Sequence, residues 1–295
     1  MKKAKKRKGT ILAALLLLIG LGVMLFPTMS DLYYRWAAER EISRYNQVTT
    51  EATAEDYSEL WAAAEAYNRR LAAHSADPSE ASPELDTDIS QYLNPLGNGM
   101  MGYIDIPKIS VHLPIYQGTE ERALQAGAGY WIGTSLPTGG TGTHCVLTAH
   151  NGLVKAKMFT DIDQLVVGDT FTITVLDRVM TYEVDQILTT LPSELEPLRI
   201  VEGQDYVTLY TCTPYGVNTH RLLVRGHRIP TPEDQQSGVL EQAAGGTGSW
   251  WGAIPILLIL LILIFVIRLL LRKRGKNRNR KNPAKRGGSC DKTKS

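Results

Sequence analysis

Cysteine is scarce in this sequence, with three residues among 295. Three cysteines cannot form the disulfide framework that stabilises small secreted domains, so that class of protein is excluded. Stability must come from a hydrophobic core, which a chain of this length can bury. A bond between Cys145 and Cys212 stays an open alternative, because nothing in their spacing requires or forbids it.

Acidic residues are nearly absent from both ends of the chain. Residues 1–8 carry six Lys or Arg, and residues 268–295 carry twelve with Asp291 as the single acid. The 14 remaining bases and 29 remaining acids give the middle a formal charge of about −15. Both basic runs border apolar runs, so membrane orientation explains them better than nucleic-acid binding does. We expect both termini, with Cys290, in the cytoplasm and the acidic middle outside.

Two apolar runs are long enough to cross a bilayer, at residues 11–26 and 250–267. A cleaved secretory leader is the alternative for the first run, since a basic segment precedes it. No A-x-A-like cleavage site follows Phe26, however, which favours a retained anchor. The sequence therefore predicts a two-pass membrane protein with an extracellular middle.

The segment after the first span has the pattern of an amphipathic helical neck. Ser30 and Asp31 offer a helix cap. Apolar residues then recur at helical spacing, at Leu60, Ala64, Tyr67 and Leu71. Residues 74–99, rich in Ser, Asp and Pro, are typical of an exposed linker or a flap.

Short runs rich in Val, Ile, Thr and Tyr follow from residue 100 to about residue 228, separated by Gly and Pro. This pattern predicts a closed β-barrel or a β-sandwich. Residues 231–249 have the composition of a flexible tether to the second span.

Strand alternation sorts the histidines and cysteines of this region by face. In "HCVLTAH", residues 144–150, His150 and Cys145 point to opposite faces. If His150 faces a cleft, Cys145 is a packed core thiol. Cys212 instead ends the run "YVTLYTC", and Pro214 predicts a turn just after it. Reactive side chains are often displayed at such a strand end.

Arg221 begins the next strand-like run, so it can lie beside Cys212. A thiol becomes a strong nucleophile as the thiolate, which a nearby cation and an imidazole favour. Cys212, Arg221 and His150 are therefore a candidate catalytic group. From the pattern alone a second interpretation stands beside it, in which Cys212 is a small buried hydrophobe, Arg221 is solvated and His150 is a satisfied core histidine.

The motif "TLYTC", residues 208–212, resembles the TLxTC active-site motif of the sortases. Residues 211–228, "TCTPYGVNTHRLLVRGHR", are similar to the class C, pilin-polymerising branch, as are "LTAHNGL" and "MFTDIDQLVVGD". The resemblance extends over about residues 31–270. It implies a mainly β fold, a closed barrel of about eight strands preceded by a helical segment and flanked by two transmembrane helices.

The same resemblance implies roles for individual residues. Cys212 is expected to be the nucleophile, His150 the proton donor and acceptor, and Arg221 the stabiliser of substrate and oxyanion. No cofactor and no metal are implied.

A lid is also implied, because class C enzymes commonly carry an Asp-Pro-aromatic motif whose ring covers the cysteine. The flap here contains Asp77 and Pro78, but Ser79 stands where the aromatic residue is expected. We expect a lid that is open for a larger fraction of the time than an aromatic-capped one.

The resemblance implies a Gram-positive cell-surface cysteine transpeptidase acting on LPxTG-like sorting signals through a thioacyl intermediate. Its expected acceptor is a lysine amine of a pilin. One alternative is a housekeeping sortase that anchors surface proteins to peptidoglycan, and a more distant one is a non-catalytic two-pass protein that binds peptides. The sequence "LPTGG", residues 136–140, is one residue short of a sorting motif and has the composition of a turn, so the chain is expected to be enzyme rather than substrate.

The predicted organisation alternates between membrane and aqueous segments. A cytoplasmic tail (residues 1–10) is followed by an anchor (11–29), a neck with its lid (30–99) and a catalytic barrel (100–230). A tether (231–249) then leads to a second transmembrane helix (250–271) and a second cytoplasmic tail (272–295).

Overall fold

The computed structural model describes residues 2–51, 54–74, 89–153 and 155–232. Several sequence predictions lie outside the described residues. These are the lid residues Asp77 and Pro78, nearly all of the tether, the second transmembrane helix and the C-terminal tail with Cys290.

Within the described residues, three α-helices and four short 3-10 helices accompany the sheet. The α-helices are α1 (Lys2–Glu51), α2 (Ala54–His74) and α3 (Glu121–Ala126). The 3-10 helices are Ile89–Gln91, Pro107–Ile109, Ile162–Gln164 and Glu196–Leu198.

Helix α1 is continuous through the point where the sequence predicts a cap. It contains Pro27 and passes through Ser30 and Asp31 without a break, so the predicted cap is wrong. Proline has a helix-compatible φ and removes one N–H, a local cost that a long, packed helix can absorb. The Asp31 carboxylate instead pairs with Arg35 one turn along, at 2.9 Å.

The N-terminal part of α1 is able to cross a membrane. Within the part of the chain that the structure describes, the segment Leu16–Glu51 is long and apolar enough by length and composition. Its most apolar stretch packs against nothing else in the protein. The predicted N-terminal anchor is therefore consistent with this helix.

Eight strands close into a barrel, as the resemblance implied. They are β1 (Met100–Ile106), β2 (Val111–Gln117), β3 (Ala128–Tyr130), β4 (Thr143–Thr148), β5 (Thr170–Val175), β6 (Arg178–Thr190), β7 (Asp205–Thr213) and β8 (His220–Ile229). Their order around the barrel is β1-β2-β3-β4-β7-β8-β6-β5, with β5 pairing back to β1.

The barrel has two distinct ends. Strands β4 and β7 pair in parallel, and β8 runs antiparallel to both β7 and β6. We call the end where β4, β6 and β7 finish and β8 begins the upper end, and the opposite end the lower end. Cys212 and Arg221 lie at the upper end.

Helix α2 packs against the lower end of the barrel. Its buried face consists of Tyr57, Trp61, Ala64, Tyr67, Asn68 and Leu71. The predicted face is therefore nearly correct, except that Leu60 is only half-buried and Trp61 takes the central position. The Trp61 indole N–H donates to the Asp177 carboxylate in the β5–β6 turn at 2.8 Å.

Asn68 fixes the "LPTGG" segment to α2. Its side-chain amide donates to the Leu136 carbonyl at 3.1 Å and the Thr138 hydroxyl at 2.8 Å, and its Oδ1 accepts the Leu136 N–H at 2.8 Å. Gly139 and Gly140 follow with positive φ, at 62° and 108°. This segment is thus a turn held by a helix, as the sequence predicts.

Candidate active site

Cys212 and Arg221 face each other across two hydrogen-bonded strands. They are direct partners in the antiparallel register of β7 and β8. Side chains of such partners point to the same face, with Cβ atoms about 4.5–5.5 Å apart. The Cys212 residue is half-buried, so its thiol is neither sealed in the core nor fully exposed. The structure therefore brings together the predicted nucleophile and the predicted cation.

His150 comes to the same place from the neighbouring strand. Thr148 at the end of β4 pairs in parallel with Tyr210, and continuing this register by two residues sets His150 beside Cys212 on one face. The Ala149 N–H donates to the Tyr210 carbonyl at 3.3 Å, which extends the pairing past the end of β4. All three predicted catalytic residues therefore meet at the upper end.

Cys145 lies on the opposite face, as strand alternation predicts. It is 3% exposed and belongs to the main hydrophobic core inside the barrel. Burial raises the pKa of the Cys145 thiol far above its usual value, which disfavours the thiolate. Cys145 and Cys212 are both free thiols, so the alternative of a disulfide between them is wrong.

A side-chain hydrogen bond that the sequence did not predict joins the loop after His150 to Cys212, the predicted nucleophile. The Asn151 amide donates to the Cys212 backbone carbonyl at 2.8 Å. The preceding position on β7 is fixed as well, since the Thr211 hydroxyl donates to the Ala149 carbonyl at 2.7 Å. Asn151 follows His150 in "LTAHNGL", and this adjacency to a candidate acid–base residue was the one signal available in the sequence.

The Arg221 guanidinium is held where the β7–β8 loop joins β8. Its Nη1 donates to the carbonyls of Asn218 and His220, at 3.0 and 2.9 Å. Tyr210, two residues before Cys212 on the same face, lies close enough for Arg221 to stabilise its phenolate. Burial nevertheless raises the pKa of Tyr210, so this phenol stays protonated near neutral pH.

Buried polar atoms without a hydrogen-bond partner cluster around this site. Among the described residues there are five such atoms, and three of them are His150 Nε2, Asn151 Oδ1 and Thr190 Oγ1. Thr190 pairs directly with Arg221 across β6 and β8. Native proteins seldom leave such groups unpaired, and where they do, a ligand or catalytic role is a common reason. Three of the five atoms thus lie beside Cys212 and Arg221, whereas the other two, Tyr103 Oη and His227 Nδ1, lie toward the lower end.

His144, which lies on the same strand face as His150, is in a contrasting environment. His144 is buried, with Nδ1 donating to the Arg199 carbonyl at 2.8 Å and Nε2 accepting from the Thr208 hydroxyl at 2.7 Å. Burial lowers the pKa of His144 to about 4. It is a neutral structural histidine, whereas His150 keeps its Nε2 without a partner.

The two loops at the upper end pack against each other through a glycine. Gly152 has φ of 79°, and a Cβ atom there would lie 2.6 Å from the ring of Tyr215 in the β7–β8 loop. A residue with a side chain would therefore strain the backbone and displace the ring. The loop after His150 and the β7–β8 loop are therefore in direct contact beside Cys212.

An apolar strip runs along the outer face of the barrel toward Cys212. Its buried members are Val146, Leu198, Tyr210 and Leu223. The Trp131 ring meets Tyr210 edge-on, with centroids 5.0 Å apart.

No group of three or more His, Cys, Asp or Glu that could hold a metal occurs in the portion of the chain described.

Comparison with known proteins identifies this arrangement. Residues 104–229 match the family model of the sortase domain. Sortase C1 from Streptococcus agalactiae is 44% identical, and the match covers 65% of this chain and 100% of that one with a TM-score of 0.63. The chain belongs to the sortase family. Sortases are cysteine transpeptidases, which agrees with a barrel that ends in a Cys–His–Arg group.

Two further relatives refine the comparison. Sortase C from Streptococcus pneumoniae, a structure described for its pilin substrate specificity, is 44% identical over 65% of this chain and 97% of its own, with a TM-score of 0.58. Both solved relatives support class C. Sortase A from Bacillus anthracis is 30% identical over 134 residues, and the matched part spans 61% of that protein's length.

Proposed function

We propose that this sortase uses Cys212 to cleave the Thr–Gly bond of an LPxTG-like sorting signal and then joins pilin subunits through an isopeptide bond. The observation that carries the proposal is the meeting of Cys212, Arg221 and His150 on one face at the upper end. Each residue comes from a different strand or strand end, and the register alone brings them together.

The first half-reaction forms a thioacyl enzyme. The Cys212 thiolate attacks the threonine carbonyl carbon, and the carbonyl oxygen becomes an oxyanion. Arg221 donates charge-assisted hydrogen bonds where this negative charge develops. The tetrahedral intermediate then collapses, the C–N bond breaks, and protonated His150 gives its proton to the leaving glycine amine. A thioester between Cys212 and threonine remains.

The second half-reaction transfers the acyl group to a lysine. A lysine amine of another pilin attacks the thioester carbonyl, and neutral His150 takes the proton that the amine loses. Cys212 leaves as the thiolate, and an amide between threonine and the lysine side chain is formed. Similarity to class C sortases, one of them described for its pilin specificity, favours a pilin as the acceptor.

A housekeeping role is the second candidate, in which the acceptor is a peptidoglycan amine. The similarity to sortase A of Bacillus anthracis favours it. Both candidates share the first half-reaction and differ only in the acceptor. A non-catalytic peptide-binding role is disfavoured, because binding alone needs neither a half-exposed thiol nor an arginine opposite it.

We place the enzyme at the cell membrane with its barrel outside the cell. Helix α1 has the length and composition of an anchor. The two-pass topology and the cytoplasmic termini rest on the second apolar run and on the basic charge beside both runs.

The acceptor can be tested with the full chain in nanodiscs, supplied with LPxTG-bearing pilins or with a peptidoglycan-like amine. We expect a gel ladder whose cross-links, by mass spectrometry, join threonine to a pilin lysine. Transfer to the peptidoglycan-like amine alone would establish the housekeeping role. Absence of a thioacyl enzyme with every substrate would reject both roles.

A further inference from the structure

Helix α1 forms a stiff connection between the apolar N-terminal segment and the barrel. Its 50 residues are helical throughout, a length of about 75 Å. Residues on the apolar part, such as Leu17, Val23, Met24 and Phe26, are largely exposed in the protein, as expected for a helix surrounded by lipid. The orientation of α1 on the barrel therefore decides which end of the barrel faces the bilayer.

Helix α1 meets the barrel first at the upper end. The Asp31 carboxylate accepts the backbone N–H of Lys157 at 2.9 Å. A cleft of about 40 Å³ is lined by Asp31, Tyr34 and Arg35 together with residues 109–113, 126, 156–158 and 161. Residues 109–113 run from the connection between β1 and β2 into the start of β2, which lies at the upper end.

Further along, α1 reaches the lower end. The Tyr45 hydroxyl donates to the Met101 carbonyl and accepts the Leu176 N–H, both at 2.8 Å. Met101 is near the start of β1 and Leu176 follows the end of β5, and both positions belong to the lower end. The helix therefore descends along the barrel, and its N-terminal half leaves from the upper end.

The spacing on α1 puts the upper end close to the hydrocarbon edge. From Phe26 to Asp31 the helix rises only about 7.5 Å. Tyr33 and Trp36 follow, exposed by 62% and 56%, and the Arg40 guanidinium lies over the Trp36 ring. Exposed Tyr and Trp beside an apolar span are typical of the membrane interface.

We propose that the upper end of the barrel faces the lipid bilayer and contacts its headgroups. The contact surface consists of the 155–161 loop, which carries the exposed Lys155 and Lys157, and the exposed pair Val166 and Val167. Val166 and Val167 precede Asp169, whose carboxylate binds Lys108 of the β1–β2 turn at 2.7 Å. Lys157 also pairs with Asp161 at 3.1 Å, so the exposed valines, rather than a net positive charge, suit this surface to the headgroup region of a bilayer.

This orientation has a consequence that rests on the proposed function. Cys212 also lies at the upper end, so the nucleophile is held near the plane of the membrane. Its substrate is then a sorting signal that emerges from a transmembrane segment in the same bilayer. Soluble peptides also reach the Cys212 thiol, but the rate of their cleavage does not depend on its distance from the membrane.

Two exposed valines at opposite ends provide a matched test. Val167 is 64% exposed at the upper end, and Val201 is 45% exposed beside the start of β7 at the lower end. A fluorescent thiol label is placed at Val167→Cys or Val201→Cys in a Cys212→Ala, Cys290→Ser background. The labelled full chain is put into phosphatidylcholine–phosphatidylglycerol vesicles containing a headgroup nitroxide lipid.

We expect quenching at position 167 at least threefold stronger than at position 201. Equal quenching, or stronger quenching at 201, would overturn the proposal. A label at 167 that is shielded from an aqueous quencher yet insensitive to the nitroxide lipid would also overturn it, because a protein would then cover this surface.

A seven-alanine insertion between Met29 and Ser30 provides a second test of the same contact. It lengthens α1 by about 10 Å and changes the rotation by only about 20°. Quenching at position 167 should fall to the level at 201. Unchanged quenching would contradict a contact set by α1.

The insertion also separates this proposal from the proposed function. In the wild-type background it should slow cleavage of a membrane-anchored substrate at least fivefold and leave cleavage of a soluble LPxTG peptide unchanged. Equal rates on the anchored substrate would contradict the orientation. Failure of the uninserted enzyme on both substrates would reject the proposed function, while the quenching comparison would still decide the orientation.

Discussion

The Asn68–Asp205 network at the lower end and the surroundings of Cys212 at the upper end treat polar groups in opposite ways. At the lower end Asn68 uses both atoms of its side-chain amide, and the partly buried carboxylate of Asp205 accepts from the Gly140 N–H at 2.7 Å and the Tyr182 hydroxyl at 3.1 Å. At the upper end His150 and Asn151 each keep a buried atom without a partner within the described chain.

This contrast separates stabilisation from function within one barrel. Satisfied polar networks fix a unique structure, whereas unpaired groups are costly and are kept where a ligand completes them. The lower end therefore carries the packing of α2 and the turn before β4. The surroundings of Cys212 keep atoms that are unpaired within the described chain and could bind the proposed substrate.

The largest expected effect is at the nucleophile. Cys212→Ala should abolish both thioacyl formation and polymer ladders, because of the two described cysteines this one is accessible and lies opposite an arginine. Cys145→Ala should keep turnover within a few-fold, since Cys145 is enclosed in the core. Parallel assays of both variants at a temperature where each is folded test this contrast. Equal loss of activity would show that the assignment is wrong.

His144 and His150 lie on the same face of β4 and its extension, but we expect His144 to affect stability and not catalysis. The folded pKa of His144 is about 4, below the unfolded value of about 6.5. The unfolded chain therefore binds more protons between these values, and stability falls as pH drops from about 6.5 to 4, by on the order of 3 kcal/mol. Urea unfolding at several pH values should show that His144→Gln removes much of this dependence while activity at neutral pH persists. An unchanged pH profile would contradict the neutral, buried state of His144.

Arg221→Lys should lower turnover by about 100-fold or more although the charge is kept. A compact ammonium cannot reproduce the planar fork of a guanidinium, and a single oxyanion-type donor contributes about 3 kcal/mol. Steady-state kinetics with an LPxTG peptide measure the effect, with Arg225→Lys as a control on the same strand face. Near-wild-type turnover of the Arg221 variant would remove this residue from the mechanism.

Asn68→Ala should have the smallest effect on chemistry and a clear one on stability. It leaves the Leu136 N–H and C=O without their side-chain partners at a buried site, at a cost of about 1–3 kcal/mol. Thermal unfolding should show the loss, while turnover at 25 °C stays within twofold. A large loss of turnover in the folded variant would mean that the lower end is not separate from the site.

Much of the fold, and the placement of the candidate catalytic residues, can be predicted from the sequence. Alternation in "HCVLTAH" separates Cys145 from His150, and this period-two rule holds because barrel strands bury different faces against different partners. The TLxTC motif then identifies Cys212, and the register of β7 and β8 confirms that Arg221 lies opposite. Local pattern was sufficient wherever the determining interaction lay on one strand or on adjacent strands.

Other features depend on contacts between distant residues. The Ser30–Asp31 cap was wrong because helix signals are local, whereas packing of Tyr45 between Met101 and Leu176 supports a continuous α1. The bond from Asn151 to the Cys212 carbonyl joins side chain to backbone across two strands, and no periodicity indicates it. The lid at Asp77 and Pro78 stays a prediction.

The most direct measurement locates the acyl group itself. The enzyme is incubated with an LPxTG peptide without an acceptor amine, quenched in acid, digested and analysed by mass spectrometry. A thioester that joins the threonine of the cleaved peptide to Cys212 is the expected result. Cleavage of the peptide with the acyl group on Cys145, or without any acyl enzyme in rapid-quench samples, would contradict a nucleophile at the upper end of the barrel.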